Sequence, residues 1–316
     1  MLKIAVLDDY ANASLSCADW SDIERRADVT IFNRYIAEED LVATLAPFDI
    51  ICLLRERTAM PAAILRQLPQ LKAIILSDAY IRVVDRDAAA ACGIAIVDGQ
   101  PPEGATISPH DTAEFVWGLI IATVRHIPQE VARLRQGQWQ QTLGMSLAGR
   151  TLGIAGLGRT GAKVAEYARA FDMKVIAWSA NLTEETAARH GVERVDKDML
   201  FRRSDVVTIH YALGDRSRGL VGAREIDAMK PTAYLINTSR GPIVDEQALL
   251  SALREKRIAG AALDVFDREP LPGEHPFLAL DNVVATPHLG FVTDRTMGFY
   301  HASIASTLGN YLRQTA

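Results

Sequence analysis

Thr151-Leu-Gly-Ile-Ala-Gly156-Leu-Gly158-Arg159-Thr160-Gly161 reads as a short strand running into a glycine turn, and Ala162–Ala170 after it has the pattern of a helix. The three glycines fall at positions 1, 3 and 6 of the GxGxxG pattern. In that pattern the first (Gly156) permits a tight turn, the second (Gly158) lets backbone approach a pyrophosphate, and the third (Gly161) lets helix pack closely on strand. The first N–H groups of the helix lack internal partners and point at an anion. Glycines gather in any turn, so the flanking strand and helix carry the reading. It predicts a dinucleotide-binding βαβ unit.

The same alternation of short apolar run and amphipathic stretch extends in both directions. Downstream, strands are predicted at Val175–Trp178, Val206–Ile209, Tyr234–Asn237, Ala261–Val265 and Val283–Ala285, with a last helix over Thr293–Leu312. Upstream, apolar runs at Ile4–Leu7, Val29–Phe32, Ile50–Leu54, Ala73–Leu76 and Ile94–Val97 alternate with helical stretches such as Glu38–Leu45, Pro61–Leu68 and Arg86–Cys92. Such alternation predicts α/β architecture, with parallel sheets doubly wound by helices. The Pro- and Gly-rich run Asp98–Ala105 separates the two sets. A helix is predicted next, over Pro109–His126, capped by Ser108 and apolar on most faces, so that burial at a domain or subunit contact is expected.

Composition narrows the function classes. At 316 residues the chain is long enough for two domains, and 49% hydrophobic with 23% charged residues is a globular balance. A net charge of −5 leaves no cationic surplus for nucleic acid or an anionic membrane. Cys17, Cys52 and Cys92 are far apart and form no CxxC, so neither a metal site nor a disulfide framework is expected, only three small buried thiols. Met1–Tyr10 lacks a signal-peptide pattern and no apolar run is long enough to span a bilayer, which makes a cytoplasmic location the expectation.

The end of the second strand bears on the cofactor. NAD-binding versions of the turn usually place an acid there to hold the ribose diol. Here Ser179 stands 18 residues after Gly161, and Asn181 and Arg159 are near in the pattern. All three can donate hydrogen bonds to a 2′-phosphate, which favours NADP modestly over NAD. No arginine follows Ser179 directly, so either cofactor remains open.

Three further stretches complete a pattern: Asn237-Thr238-Ser239-Arg240-Gly-Pro-Ile-Val-Asp, Ala262-Leu-Asp264-Val-Phe-Asp-Arg-Glu269-Pro-Leu, and Thr286-Pro-His288-Leu-Gly290. With the glycine turn, in this order and spacing, the chain resembles the D-isomer-specific 2-hydroxyacid dehydrogenases, and its phosphoglycerate dehydrogenase-like members in particular. The resemblance covers nearly the whole chain. It implies a flavodoxin-like substrate domain, 1–101 with 291–316, and an inserted Rossmann NAD(P)-binding domain, 102–290. It also implies an active site in the cleft between them and a homodimer formed through the cofactor domain. The resemblance makes Arg240, Glu269 and His288 catalytic. The cofactor contacts are Gly156, Gly158, Arg159, Thr160, Gly161, Ser179, Asn181, His210, Tyr211, Ala212, Thr238, Ser239, Arg240, His288 and Gly290, with Asp264 on the nicotinamide carboxamide. Substrate contacts are Arg55, Arg57, Asp78, Ala79 and Tyr80, together with Arg240 and His288.

Physical chemistry gives these residues work to do. A hydride reaching a keto carbon creates an alkoxide, and a proton donor must meet that charge. Histidine suits the task near neutral pH, a carboxylate beside it fixes its ring, and a guanidinium grips a carboxylate with two parallel bonds. Two features depart from the family pattern. Leu76–Arg82 lacks the glycines whose N–H groups usually wrap the substrate carboxylate and places Asp78 near an anion, and Phe291 is bulkier than the small residue often found there. A competing expectation is a dinucleotide-sensing regulator, like the corepressor branch of the family. Retention of all three catalytic residues favours the enzyme. Formate dehydrogenases pair the histidine with Gln, and Glu269 argues against that branch.

Overall fold

The computed structural model describes residues 1–79, 81–100 and 106–315. Its strands are β1 (Leu2–Val6), β2 (Ala27–Ile31), β3 (Ile50–Leu53), β4 (Ala73–Leu76), β5 (Ala95–Val97), β6 (Thr151–Ala155), β7 (Lys174–Trp178), β8 (Glu193–Arg194), β9 (Val206–Ile209), β10 (Tyr234–Asn237), β11 (Gly260–Leu263) and β12 (Val283–Ala285). The chain divides into two units, Met1–Ser108 with Thr293–Ala316, and Pro109–Val292. The division falls a few residues after the breaks expected at 101/102 and 290/291, and residues 101–105 lie outside the described ones.

In the first unit five parallel strands run in the order β2-β1-β3-β4-β5. That is the flavodoxin-like 2-1-3-4-5 arrangement. Every residue of β3 and β4 is buried, which is why both read as unbroken apolar runs rather than alternating ones. Edge strand β2 alternates instead, with Asp28 and Thr30 exposed. Ile51, Leu53, Ile74 and Leu76 join Met60, Leu65 and Leu68 in one core. The helix Asp294–Thr315 belongs to this unit and buries Tyr300, Ile304, Leu308 and Leu312, one face at helical spacing.

The second unit is a seven-stranded parallel sheet, β12-β11-β10-β9-β6-β7-β8. Counted from β6, this is the doubly wound Rossmann order with a further strand at the β12 edge. Sheet order reverses at β6, where the glycine turn leaves the strand. β8, two exposed polar residues paired with Ile176 and Ala177, has no apolar run and escaped the sequence reading.

The apolar helix is shorter than expected and differently buried. It ends at Val124, and His126 in left-handed conformation (φ 54°) opens a separate helix, Ile127–Arg135. Its apolar side packs inside its own unit, on β10, β11, β12 and the helix Arg159–Ala170. Trp117 stacks on Phe171 with centroids 4.4 Å apart. Its apolar composition is thus used in packing within its own unit. The cysteines differ too: Cys52 is buried, Cys17 half-buried and Cys92 exposed. No helix among the described residues is long and apolar enough to cross a membrane.

Candidate active site

The glycine turn is built as a phosphate cradle. Gly156 adopts φ +101°, a conformation L side chains rarely take, and a β-carbon there would lie 2.7 Å from the His210 carbonyl oxygen. A β-carbon on Gly161 would lie 2.2 Å from the Gly156 carbonyl oxygen, so only glycine lets the helix Arg159–Ala170 approach β6. Gly158, the N-cap of that helix, is the opposite case: nothing lies within 4 Å of its missing side chain, and no side chain caps the helix. Open space above a bare helix N-terminus suits an incoming phosphate. Thr238 Oγ1, at the end of β10, is buried without a hydrogen-bond partner, as expected of a group awaiting a ligand. The donor set therefore fits a nicotinamide dinucleotide.

Around that cradle, Thr160 is half-buried, while Arg159, Asn181 and Ala212 are exposed. The Ser239 hydroxyl donates to the Tyr211 carbonyl. Ser179 Oγ accepts from the Leu157 N–H at 2.9 Å, tying the end of β7 to the turn, a use its position in the sequence did not suggest. His210 Nε2 lies 3.0 Å from Thr208 Oγ1, and burial pushes its pKa down to about 4, so it lines the site as a neutral ring.

His288 and Glu269 meet, as the family resemblance implied. His288 Nδ1 donates to Glu269 Oε2 at 2.6 Å, leaving Nε2 as the atom able to exchange a proton. Glu269 Oε1 accepts from the Phe266 N–H at 2.9 Å. Burial works to raise the Glu269 pKa, but His288, the Phe266 N–H and the nearby Arg240 guanidinium outweigh it and hold the carboxyl below the usual range. Arg240 follows β10 and its Nη1 donates to the Ser239 carbonyl at 2.8 Å. Phe291 sets its ring edge-on to His288, with centroids 5.5 Å apart, which gives the bulkier residue a packing role.

Asp264 also makes bonds within the protein that the motif alone did not suggest. It is fully buried at the end of β11. Its Oδ1 accepts from the Thr286 hydroxyl at 2.6 Å and the Leu289 N–H at 2.7 Å, and its Oδ2 accepts from the Gly290 N–H at 2.8 Å. Burial raises its pKa against these bonds. A β-carbon on Gly290 would stand 3.1 Å from Oδ2. The carboxylate thus fixes the loop carrying His288, itself at φ 53°.

In the first unit the C-terminal ends of the strands gather a second polar cluster. Arg55 pairs with Asp78, and its guanidinium lies 5.3 Å from the centre of the Tyr300 ring. Arg57 donates to the Asp8 carbonyl at 2.6 Å and lies over Tyr10. The acid expected near a substrate anion is therefore paired with an arginine. Ala79 is exposed, and Tyr80 lies outside the described residues. Asp8, Asp9, Thr58 and His301 were not anticipated. Thr58 donates to Asp8 at 2.6 Å, while fully buried His301 places Nδ1 3.2 Å from Ser14 Oγ and Nε2 3.7 Å from Asp9. The acid pair directly after Ile4–Leu7 was the available signal.

Residues 117–290 match the family model described as D-isomer specific 2-hydroxyacid dehydrogenase, NAD binding domain. The chain is 37% identical to a glyoxylate reductase of Aeropyrum pernix over 85% of its length and 82% of that protein. It is 36% identical to a D-3-phosphoglycerate dehydrogenase of Methanocaldococcus jannaschii over 99% of its length and 58% of that protein. The chain spans about half the length of the curated phosphoglycerate dehydrogenases it matches. Among solved structures, a phosphoglycerate oxidoreductase from Vibrio cholerae superposes with TM-score 0.91 at 34% identity, covering all of both chains.

Two outcomes follow from this geometry. Asp264→Asn turns an acceptor facing a backbone N–H into a donor, so urea unfolding should show a loss of about 1–3 kcal/mol. An unchanged midpoint would remove the clamp. Because the fold holds the Glu269 pKa below 4.5, its carboxylate adds stability above that pH and loses it as pH falls through the folded value. The stability gap between wild type and Glu269→Gln should be widest near neutrality and close on acidification. A gap constant from pH 7 down to pH ~3 would deny the coupling.

Proposed function

The chain belongs to the D-isomer-specific 2-hydroxyacid dehydrogenase family, and on that premise we propose that it moves a hydride between NAD(P)H and carbon 2 of a small 2-keto or 2-hydroxy acid of D configuration. The observation that carries the reading is the 2.6 Å contact of His288 with Glu269, in the same unit as Arg240 and the glycine cradle.

A bound nicotinamide dinucleotide supplies or takes the hydride. Gly156, Gly158 and Gly161, with the first N–H groups of the helix Arg159–Ala170, hold its pyrophosphate, and Thr238 offers its unpartnered hydroxyl. In reduction, His288 Nε2 gives a proton to the oxygen on carbon 2 as negative charge develops there; in oxidation the same atom takes it back. Glu269 keeps the ring oriented by accepting from its Nδ1–H. Arg240 grips the substrate carboxylate and polarises the carbonyl. Asp264 acts through the loop it holds and is a positioning residue. Arg55, Arg57, Asp78, Ala79 and Tyr80 are proposed as the first unit's substrate contacts, with Arg55 already balanced by Asp78. The lack of a carboxylate at Ser179 supports NADP over NAD.

A homodimer through the second unit is part of the proposal. The helix Ile127–Arg135 buries none of its residues, and Ile127, Val131 and Leu134 lie exposed along it, followed by Trp139 at 72% and Leu143 at 95% exposure. Such an apolar stretch suits a second copy of the chain. Sedimentation should give the mass of two chains, and a single-chain mass at all concentrations would remove the dimer.

The chemistry is tested with glyoxylate and larger 2-keto acids, each tried with NADH and NADPH. His288→Ala should lower kcat on the best substrate by roughly 10²–10⁴-fold while cofactor affinity stays near wild type. Near-normal turnover by this variant would sink the assignment.

A further inference from the structure

Tyr211 sits where the glycine turn and the ends of β7 and β10 meet. A β-carbon on Gly156 would fall 3.1 Å from Tyr211 Cδ2, so the ring lies against the first glycine of the turn. The Trp178 ring is beside it, centroids 5.7 Å apart. The phenol oxygen accepts from the Ala180 N–H at 2.9 Å, just past the end of β7 and next to Ser179 in sequence. Ser179 Oγ in turn accepts from the Leu157 N–H.

A proton count gives this arrangement a direction. The two hydroxyls carry two protons. Each oxygen accepts from one backbone N–H. Neither of those bonds uses a hydroxyl proton, so a proton is left to donate outward. It stands at the end of the second strand of a Rossmann sheet, where the adenosine ribose is held. A carboxylate in that place accepts from the ribose diol. A hydroxyl donates, and a charged 2′-phosphate is the stronger acceptor. Burial raises the Tyr211 pKa, which keeps the phenol protonated.

We propose that Tyr211 is a cofactor-specificity residue: with Ser179 it presents a hydroxyl proton to the 2′ substituent of the adenosine ribose and so selects NADP over NAD. This rests on the dehydrogenase reading above and adds a residue that discriminates between the two cofactors. Tyr211→Phe tests it, because the ring and its packing on Gly156 and Trp178 stay while the phenol proton goes. Ala180 is exposed, so water can take its N–H.

The measurement is calorimetric binding of NADP⁺ and of NAD⁺ to wild type and variant, with no keto acid present. Loss of one hydrogen bond to a charged group should raise the Kd for NADP⁺ about tenfold and that for NAD⁺ less than about twofold. Equal weakening of both would mean that Tyr211 only supports the turn, and no change in either would mean that it does not reach the ribose. Both results overturn this inference and leave the dehydrogenase reading standing, as does a wild type that binds NAD⁺ but not NADP⁺. A wild type that binds neither dinucleotide overturns both.

Discussion

One buried carboxylate holds the candidate site of the second unit in place. Asp264 offers both oxygens to the segment Thr286–Gly290 and takes three bonds from it. A charge withdrawn from water is tolerated only where such donors surround it. The requirement works in both directions: the loop must present its N–H groups inward, and this sets the left-handed turn at His288. The imidazole then meets Glu269, which is itself anchored by the Phe266 N–H only two residues from Asp264. Imidazole, paired acid and clamp thus form one continuous set of bonds between the end of β11 and the loop after β12.

The glycine turn shows the same economy in backbone rather than charge. Two of its glycines are fixed by contact, Gly156 against the His210 carbonyl and Gly161 against the Gly156 carbonyl, while Gly158 faces open space. A close-packed turn around one vacant position is what a phosphate requires. The end of β7 is tied to the turn through Ser179 and to the segment after β9 through Tyr211, so these three pieces of chain are mechanically one.

Much of this was legible in the sequence, for particular reasons. Strands β3, β4, β9 and β10 are buried at every residue, so their apolar runs stood out. The candidate catalytic residues sit in motifs whose types and order are informative on their own. What stayed hidden depends on distant partners. β8 has no apolar signal, and its pairing comes from Ile176 and Ala177. The turn at His126 is one left-handed residue within an apolar pattern that looked continuous. Asp78 looked like a repulsive acid because Arg55, 23 residues away in sequence, could not be seen beside it. Ser179 looked free because its bond to Leu157 crosses from one strand end to another.

The discontinuity of the first unit bears on how the chain acquires its structure. The second unit is continuous in sequence, and its core draws only on Pro109–Val292. The first unit is different: the helix Asp294–Thr315 supplies Tyr300, Ile304 and Leu308 to its interior, and His301 meets Ser14 across almost the entire chain. On the ribosome, where chains emerge N-terminus first, the first five strands appear early with one layer of their covering still unsynthesised. The later-born unit can close first. The earlier one stays open along one face until the last helix arrives, and chaperones have that interval in which to recognise it.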